Sequence, residues 1–134
     1  MGIGRVILID THVWIWLNLS PEKFSVSAMK TLQSAPRIVL SAISIYETMV
    51  AVEKGRIATS YSAEDLVRRW LKASDIVRVP VQEEILIQSR ALDFVHEDPF
   101  DRIIASTAVS EQIPLLTADG NLLKLGWLAT IPAQ

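Results

Sequence analysis

The sequence predicts an α/β domain with a mostly parallel central sheet of four to five strands and helices on both faces. Short aliphatic runs alternate along the chain with longer segments in which apolar residues recur at helical spacing, a pattern typical of parallel strands connected by helices. Right-handed crossovers place such helices on both faces of the sheet. The chain has 134 residues, enough for a sizeable core, and we expect one domain spanning residues 1–134.

The first half of the chain contains two predicted strands, at residues 5–9 and 38–40. Asp10 or Thr11 can cap the helix that follows the first strand. The helices predicted in this half lie at residues 12–19, 25–35, 44–53 and 62–73. Gly55 is a natural residue to follow a helix C-terminus, because glycine accepts the left-handed conformation. Pro36 ends the second helix.

The second half contains strands at residues 76–79 and 114–116 and an edge strand at 127–131. Pro80 closes the first of these strands. The helices predicted in this half lie at residues 82–93 and 98–112, with a single helical turn at 121–124. Asp98 suits an N-cap, and Pro99 suits the first helical position, where the missing N–H costs nothing.

Composition excludes several classes of protein. There is no cysteine, which rules out disulfides and thiolate zinc sites. The net charge of −2 gives no overall basic footprint for nucleic acid, and Lys54 with Arg56 is predicted to be solvated helix surface. The apolar run near the N-terminus is too short for a signal peptide or membrane span, so we expect a cytoplasmic protein without membrane contact. The hydrophobic content of 50% indicates a surface shared with a partner.

Four carboxylates fall where predicted strands meet predicted helices: Asp10, Glu47, Asp101 and Asp119. In an open parallel sheet, ligands bind beyond the carboxyl ends of the strands, where such residues can meet. Clustered carboxylates repel one another, and a hard divalent cation such as Mg²⁺ or Mn²⁺ removes that repulsion by taking carboxylate oxygens. The residue types therefore point to metal-assisted phosphodiester hydrolysis.

Each acid also has a structural explanation. Ser44 and Glu47 match the Ser-x-x-Glu capping box, and Asp119 stands in ordinary turn chemistry. Asp98 suits a cap, and Asp101 can offset the partial charge of a helix N-terminus. Taken singly, these roles are favoured over catalysis. Taken together they are less convincing, because capping does not require four carboxylates at one edge.

Four ordered motifs span nearly the whole chain: Asp10-Thr11-His12 followed by Trp16, then Ser41-x-x-Ser44-x-x-Glu47, then His96-x-Asp98-Pro99-Phe100-Asp101-Arg102, then Pro114-Leu115-Leu116-Thr117-x-Asp119. Together they resemble the PIN domain, and within it the VapC-type toxins of bacterial and archaeal toxin–antitoxin pairs. The resemblance implies a Mg²⁺- or Mn²⁺-dependent endoribonuclease that uses one or two ions to hydrolyse RNA. It also implies a homodimer and a cognate antitoxin that binds the site or groove.

The resemblance carries over to individual residues. Those that match the family's metal-binding and catalytic acids are Asp10, Glu47, Asp101 and the more variable Asp119. Thr117 matches a polar residue that accompanies the fourth acid, and Asp98 matches an acid of this subgroup that is a cap first and a ligand second. Arg102 is expected to be structural rather than to reach a phosphate.

One further feature extends the resemblance, and one departs from it. His12 and His96 are also subgroup features, expected to be hydrogen-bonded loop residues and not a general base. Related toxins often carry basic residues on the helix after Glu47, whereas here they come late, at Lys54 and Arg56.

Two alternatives remain open from the sequence. One is a catalytically silent binding module on the PIN fold, since fold alone does not establish function. The other is a different α/β metal-dependent phosphate hydrolase. A haloacid-dehalogenase-like site needs a second Asp at the position of His12, and a response-regulator receiver needs a Lys beyond Lys124. Phosphate-binding loops of the Gly-rich kinds are absent from the sequence.

Overall fold

The computed structural model describes residues 4–94 and 97–134, in which it contains five strands, seven α-helices and one 3₁₀ turn. In chain order they are β1 Ile7–Ile9, α1 Thr11–Leu19, the 3₁₀ turn Pro21–Lys23, α2 Val26–Ser34, β2 Ile38–Ser41, α3 Ala42–Glu53, α4 Ala63–Lys72, β3 Val77–Val79, α5 Glu83–Ala91, α6 Pro99–Glu111, β4 Leu115–Thr117, α7 Gly120–Leu123 and β5 Thr130–Pro132. Every strand and α-helix predicted from the sequence is present, with ends shifted by a few residues. The 3₁₀ turn was not predicted.

The five strands form one sheet in the order β3-β2-β1-β4-β5, and every neighbouring pair is parallel. The chain moves outward from β1 to β2 and β3, and then returns to the other side of β1 to form β4 and β5. The point where the strand order reverses therefore lies between β1 and β4. In open α/β sheets this point, at the carboxyl ends of the strands, is where ligands bind.

The core lies on both faces of the sheet, as alternation along β1 requires. Ile7 and Ile9 pack on one face with Trp14 of α1, whereas Leu8 packs on the other face with Ile104 of α6. All five side chains are fully buried. The α/β class with helices on both faces is thus confirmed.

Helix α3 begins two residues earlier than the sequence predicted. The hydroxyl of Ser41 accepts a hydrogen bond from the backbone N–H of Ile43 at 3.2 Å and caps the helix. The predicted capping box of Ser44 and Glu47 is therefore wrong, because both residues lie inside the helix. This shift leaves the Ser44 hydroxyl and the Glu47 carboxylate available for contacts with other elements.

The end of α3 follows the prediction for Gly55, which adopts a φ of 74°. The N–H of Gly55 donates to the carbonyl of Val52 at 3.0 Å, and the N–H of Arg56 donates to the carbonyl of Ala51 at 2.8 Å. This pair of bonds is the Schellman arrangement. None of the helices in residues 4–94 and 97–134 has the length and apolarity needed to cross a bilayer.

Candidate active site

Asp10 lies at the switch point, immediately after β1. Its Oδ1 accepts the backbone N–H of Thr11 at 2.8 Å and caps α1, while its Oδ2 accepts the hydroxyl of Thr117 at 2.7 Å. Ile9 pairs with Leu116 in the parallel register, so Asp10 and Thr117 are the next residues along adjacent strands. Asp10 is only 3% exposed, and its hydrogen bonds hold the carboxylate at the edge of the sheet.

Glu47 reaches the same edge from the second turn of α3. Its Oε1 lies 2.6 Å from the hydroxyl oxygen of Thr11, which in turn lies 2.8 Å from the hydroxyl oxygen of Ser44. Thr11 and Ser44 are both buried, and Glu47 is half-buried. These contacts join the start of α1 to α3 through side chains alone.

Asp101 lies in the first turn of α6 and is buried. Its pKa is raised from the ordinary 3.8 to about 8, first by burial and then by the negative charges of its neighbours, which are Asp10, Asp98, Asp119 and Glu47. These four neighbours belong to separate parts of the chain. Folding therefore brings all four sequence-predicted acids, together with Asp98, within electrostatic reach of one another.

The pKa values of Asp10 and Glu47 are raised as well. For Asp10, burial outweighs the hydrogen bonds from Thr117 and Thr11, which favour the charged form. For Glu47, burial is again the largest cause, the hydrogen bond from Thr11 opposes it, and the charges of Asp10 and Asp98 add to it. A buried, mutually repelling set of carboxylates is the electrostatic pattern that functional sites often show.

Asp98 has the capping role that the sequence predicted, and Asp119, for which the sequence predicted only turn chemistry, is a helix cap as well. Asp98 Oδ1 accepts the N–H of Phe100 at 2.9 Å at the start of α6. Asp119 Oδ1 accepts the N–H of Asn121 at 2.8 Å at the start of α7. Both carboxylates nevertheless contribute charge to the environment of Asp101, so capping and membership of the cluster are compatible.

The carboxylates do not form a coordination sphere in this conformation. Among residues 4–94 and 97–134, no group of three or more His, Asp or Glu side chains is arranged so as to hold a metal ion. Three of the acids, Asp10, Asp98 and Asp119, direct an oxygen to a backbone N–H of a helix start. The donor chemistry still fits Mg²⁺ or Mn²⁺, because the set is all oxygen and its mutual repulsion is relieved by a divalent cation.

Arg102 has the structural role expected of it. It is buried, and its guanidinium donates to the carbonyl of Ser89 at 3.0 Å and to the carbonyl of Phe94, whose ring centroid lies 5.3 Å from Arg102 Cζ. His12 lies in the first turn of α1 and is exposed to solvent. This agrees with the helix predicted at residues 12–19 and corrects the expectation, implied by the family resemblance, of a loop residue. His96 lies outside the described residues.

A groove of about 740 Å³ opens beside the acidic cluster. Glu47 and Asp98 line its acidic part, and the basic residues in its lining are Lys23, Lys54 and Arg56. The sequence predicted only solvated helix surface for Lys54 and Arg56. The Schellman turn after α3 brings both side chains to the groove, which local composition alone does not reveal.

Thr11 and Ser44 are the polar residues whose site contacts the sequence reasoning missed. The sequence predicts only capping roles for them, Thr11 at α1 and Ser44 at α3. Each is a small hydroxyl residue close to a carboxylate, one beside Asp10 and the other three residues before Glu47, and this proximity is the signal that could have indicated a role in the site.

These features define an α/β domain with an acidic centre at the switch point of a parallel sheet. The chain belongs to the PIN domain family, whose model matches residues 7–128. A similar protein is "Ribonuclease VapC22" of Mycobacterium tuberculosis (strain ATCC 25618 / H37Rv), which is 29% identical over 119 residues, covering 87% of this chain and 88% of the relative. The family membership confirms the resemblance predicted from the four motifs and argues against the haloacid-dehalogenase and receiver alternatives.

Solved structures with the same fold come from toxin–antitoxin complexes. VapBC2 from Rickettsia felis, bound to a promoter DNA fragment, matches with a TM-score of 0.72 and 14% identity over 97% of this chain and 100% of that chain. VapBC from Salmonella typhimurium, bound to DNA, matches with a TM-score of 0.69 and 17% identity over 97% and 99% of the two chains. These similarities show the shared fold.

Proposed function

We propose that this protein is a metal-dependent endoribonuclease that hydrolyses RNA phosphodiester bonds and is the toxin of a toxin–antitoxin pair. The observation that carries the proposal is the acidic cluster at the switch point of a PIN-family chain. In this cluster the charges of Asp10, Glu47 and Asp119 contribute to the raised pKa of Asp101. The relative named as a ribonuclease and the VapBC complexes with the same fold support it.

The proposed ligands of one or two Mg²⁺ or Mn²⁺ ions are Asp10, Glu47 and Asp101, with Asp119 contributing directly or through water. When bound, such an ion activates water and offsets the charge that develops on the phosphate. The protein itself supplies the burial that strengthens these electrostatic interactions. Thr117 orients Asp10 through its hydroxyl, and we assign it this role in preference to that of a ligand.

Asp98 is proposed to be mainly a cap whose charge adds to the cluster. Lys23, Lys54 and Arg56 stand in the groove beside the acids, where they are suited to contact the RNA phosphates that flank the scissile bond. This arrangement offsets the net charge of −2 locally, on the side of the site that a nucleic acid must approach.

The partners proposed are an antitoxin and a second copy of the chain. An antitoxin segment could occupy the groove, whose lining combines charged residues with apolar ones such as Trp16 and Val50. The homodimer is proposed from the family resemblance, and exposed apolar side chains, among them Tyr46 at 58% and Ile87 at 65% exposure, are available for its interface.

The experiment is a calorimetric titration of Mn²⁺ into antitoxin-free protein, with RNA cleavage measured on the same samples. The variants are Asp10→Asn and Asp101→Asn, and the matched control is Asp75→Asn, which changes an exposed acid distant in sequence from the cluster. We expect the parent and the control to bind Mn²⁺ and to cleave RNA, and the two cluster variants to lose both properties.

Three outcomes contradict the proposal. Cleavage by Asp10→Asn at the parental rate removes Asp10 from the active site. Mn²⁺ binding by the parent without cleavage of any RNA favours the catalytically silent binding module. A parent that neither binds Mn²⁺ nor cleaves RNA leaves the acids with capping and turn roles alone.

A further inference from the structure

We propose that Thr11 is the residue that positions Glu47 in the acidic cluster, and that Ser44 sets the direction of the Thr11 hydroxyl. The inference rests on the proposed function, since Glu47 is taken to be a metal ligand. The inference is based on two distances from Thr11 Oγ1, which lies 2.6 Å from Glu47 Oε1 and 2.8 Å from Ser44 Oγ.

The number of hydrogens determines the order of donation. A threonine hydroxyl has one hydrogen to donate, and an ionised carboxylate can only accept. Metal binding requires the ionised form of Glu47. The Thr11 hydrogen therefore points to Glu47, and the Ser44 hydroxyl must donate to Thr11. The result is a directed chain of hydrogen bonds from Ser44 through Thr11 to Glu47.

Thr11 is suited to positioning because it contacts two acids at once. Its backbone N–H donates to Asp10 Oδ1 at 2.8 Å, and its hydroxyl reaches Glu47, which lies 36 residues further along the chain. A single residue thus sets the separation between carboxylates that come from β1 and from α3. Thr11 and Ser44 are only 1% and 0% exposed, so water does not compete for their hydrogen bonds.

The free side chain of Glu47 has several rotatable bonds, and its carboxylate lines the open groove. Without the Thr11 hydroxyl, it is free to swing toward that groove, and binding a cation must then fix it at an entropic cost. Threonine holds the hydroxyl better than serine does, because its branched side chain restricts χ1. Residues that hydrogen-bond to a metal ligand without touching the metal lower metal affinity by about 10- to 100-fold when they are removed.

The test compares Thr11→Val with Thr11→Ser by Mn²⁺ calorimetry, and Thr48→Val is the matched control. Thr48 is a buried threonine adjacent to Glu47 on α3, and among the described residues its hydroxyl has no hydrogen-bond partner. We expect Thr11→Val to weaken Mn²⁺ binding by at least about tenfold. Thr11→Ser should recover most of that loss, and Thr48→Val should bind as the parent does.

A second readout separates positioning from a merely structural role. We expect the Mn²⁺ concentration for half-maximal RNA cleavage to rise in Thr11→Val, with the cleavage rate at saturating Mn²⁺ largely restored. A structural role would instead lower the free energy of unfolding in urea and leave the half-saturating Mn²⁺ concentration where it is in the parent.

Parental Mn²⁺ affinity in a folded Thr11→Val overturns the inference and leaves the proposed function intact. If Thr11→Val does not fold, Ser44→Ala decides: weaker Mn²⁺ binding, by several-fold, is expected, and parental binding overturns the inference. A parent that binds no Mn²⁺ overturns the proposed function, and this inference with it, before any Thr11 variant is compared.

Discussion

The hydroxyl of Thr117 donates a 2.7 Å hydrogen bond to Oδ2 of Asp10, across 107 residues of sequence. The same Thr117 oxygen accepts the backbone N–H of Asp119 at 3.0 Å. One fully buried hydroxyl therefore links the acid that follows β1 to the acid that follows β4. The parallel register of these two strands at the switch point makes the link possible.

We predict that Thr117→Val lowers the free energy of unfolding by about 1–3 kcal/mol, because it leaves a buried carboxylate oxygen and a backbone N–H without their partner. Thr117→Ser keeps the hydroxyl and should lose less. Urea unfolding of the metal-free protein at neutral pH measures both changes. A larger loss for Thr117→Ser than for Thr117→Val would mean that the methyl group of Thr117, which valine keeps, stabilises the protein more than its hydroxyl does.

The stability of the metal-free protein should depend on pH through Asp101. Its pKa is about 8 in the folded protein and 3.8 ordinarily, so between about pH 4 and pH 8 the folded state holds a proton that the unfolded state has released. The free energy of unfolding therefore falls as pH rises through this window and levels off above it. Asp10 and Glu47, whose pKa values are also raised, act in the same direction.

The measurement for this prediction is urea unfolding of the parent and of Asp101→Asn at a series of pH values in the presence of a chelator. The variant should show a shallower fall over the same window, because it has no proton to retain at this position. A parent whose stability rises across that window would contradict the raised pKa of Asp101.

We predict different outcomes for two substitutions of Asp98. Asp98→Asn keeps an oxygen for the N–H of Phe100 and removes a charge that raises the pKa of Asp101, so the metal-free protein should be as stable as the parent or more stable. Asp98→Ala removes the cap and should lose about 1 kcal/mol. Thermal unfolding of the two variants, side by side, measures the contrast.

The Mn²⁺ affinity of Asp98→Asn, measured by calorimetry, decides whether Asp98 is mainly a cap or a metal ligand. If Asp98 is a cap first, its amide variant binds Mn²⁺ nearly as the parent does. A loss as large as that of Asp101→Asn would make Asp98 a ligand and overturn the assignment of its main role.

We predict that Arg102→Lys lowers the free energy of unfolding by about 1–3 kcal/mol. The guanidinium donates from two nitrogens to the carbonyls of Ser89 and Phe94, and a lysine ammonium cannot reproduce this geometry. The control is Arg68→Lys, in the exposed ion pair with Glu64, which we expect to change the free energy of unfolding by less than about 0.5 kcal/mol. Parental stability of Arg102→Lys, combined with a loss of RNA cleavage, would assign Arg102 to phosphate binding instead.

Much of the site was predictable because capping and turn preferences are local. Asp98 caps the helix that the sequence assigned to it, and Gly55 adopts its left-handed turn. The prediction failed at Ser44, where a local pattern matched a capping box but Ser41, three residues earlier, provides the cap. Two serines at comparable distances from the apolar helix body give similar local signals. In the folded chain Ser41 makes the cap, and the Ser44 hydroxyl contacts Thr11 of α1.

The sequence by itself determined the α/β class, the order of strands and helices, the family and the acids that could meet. Those properties follow from hydrophobic periodicity, from cap and turn chemistry and from motif order, all of which act over a few residues. Only the tertiary structure decided which hydroxyls hold the acids. The contacts of Thr11 with Glu47 and of Thr117 with Asp10 depend on helix packing and on strand register, which join residues that are distant in sequence.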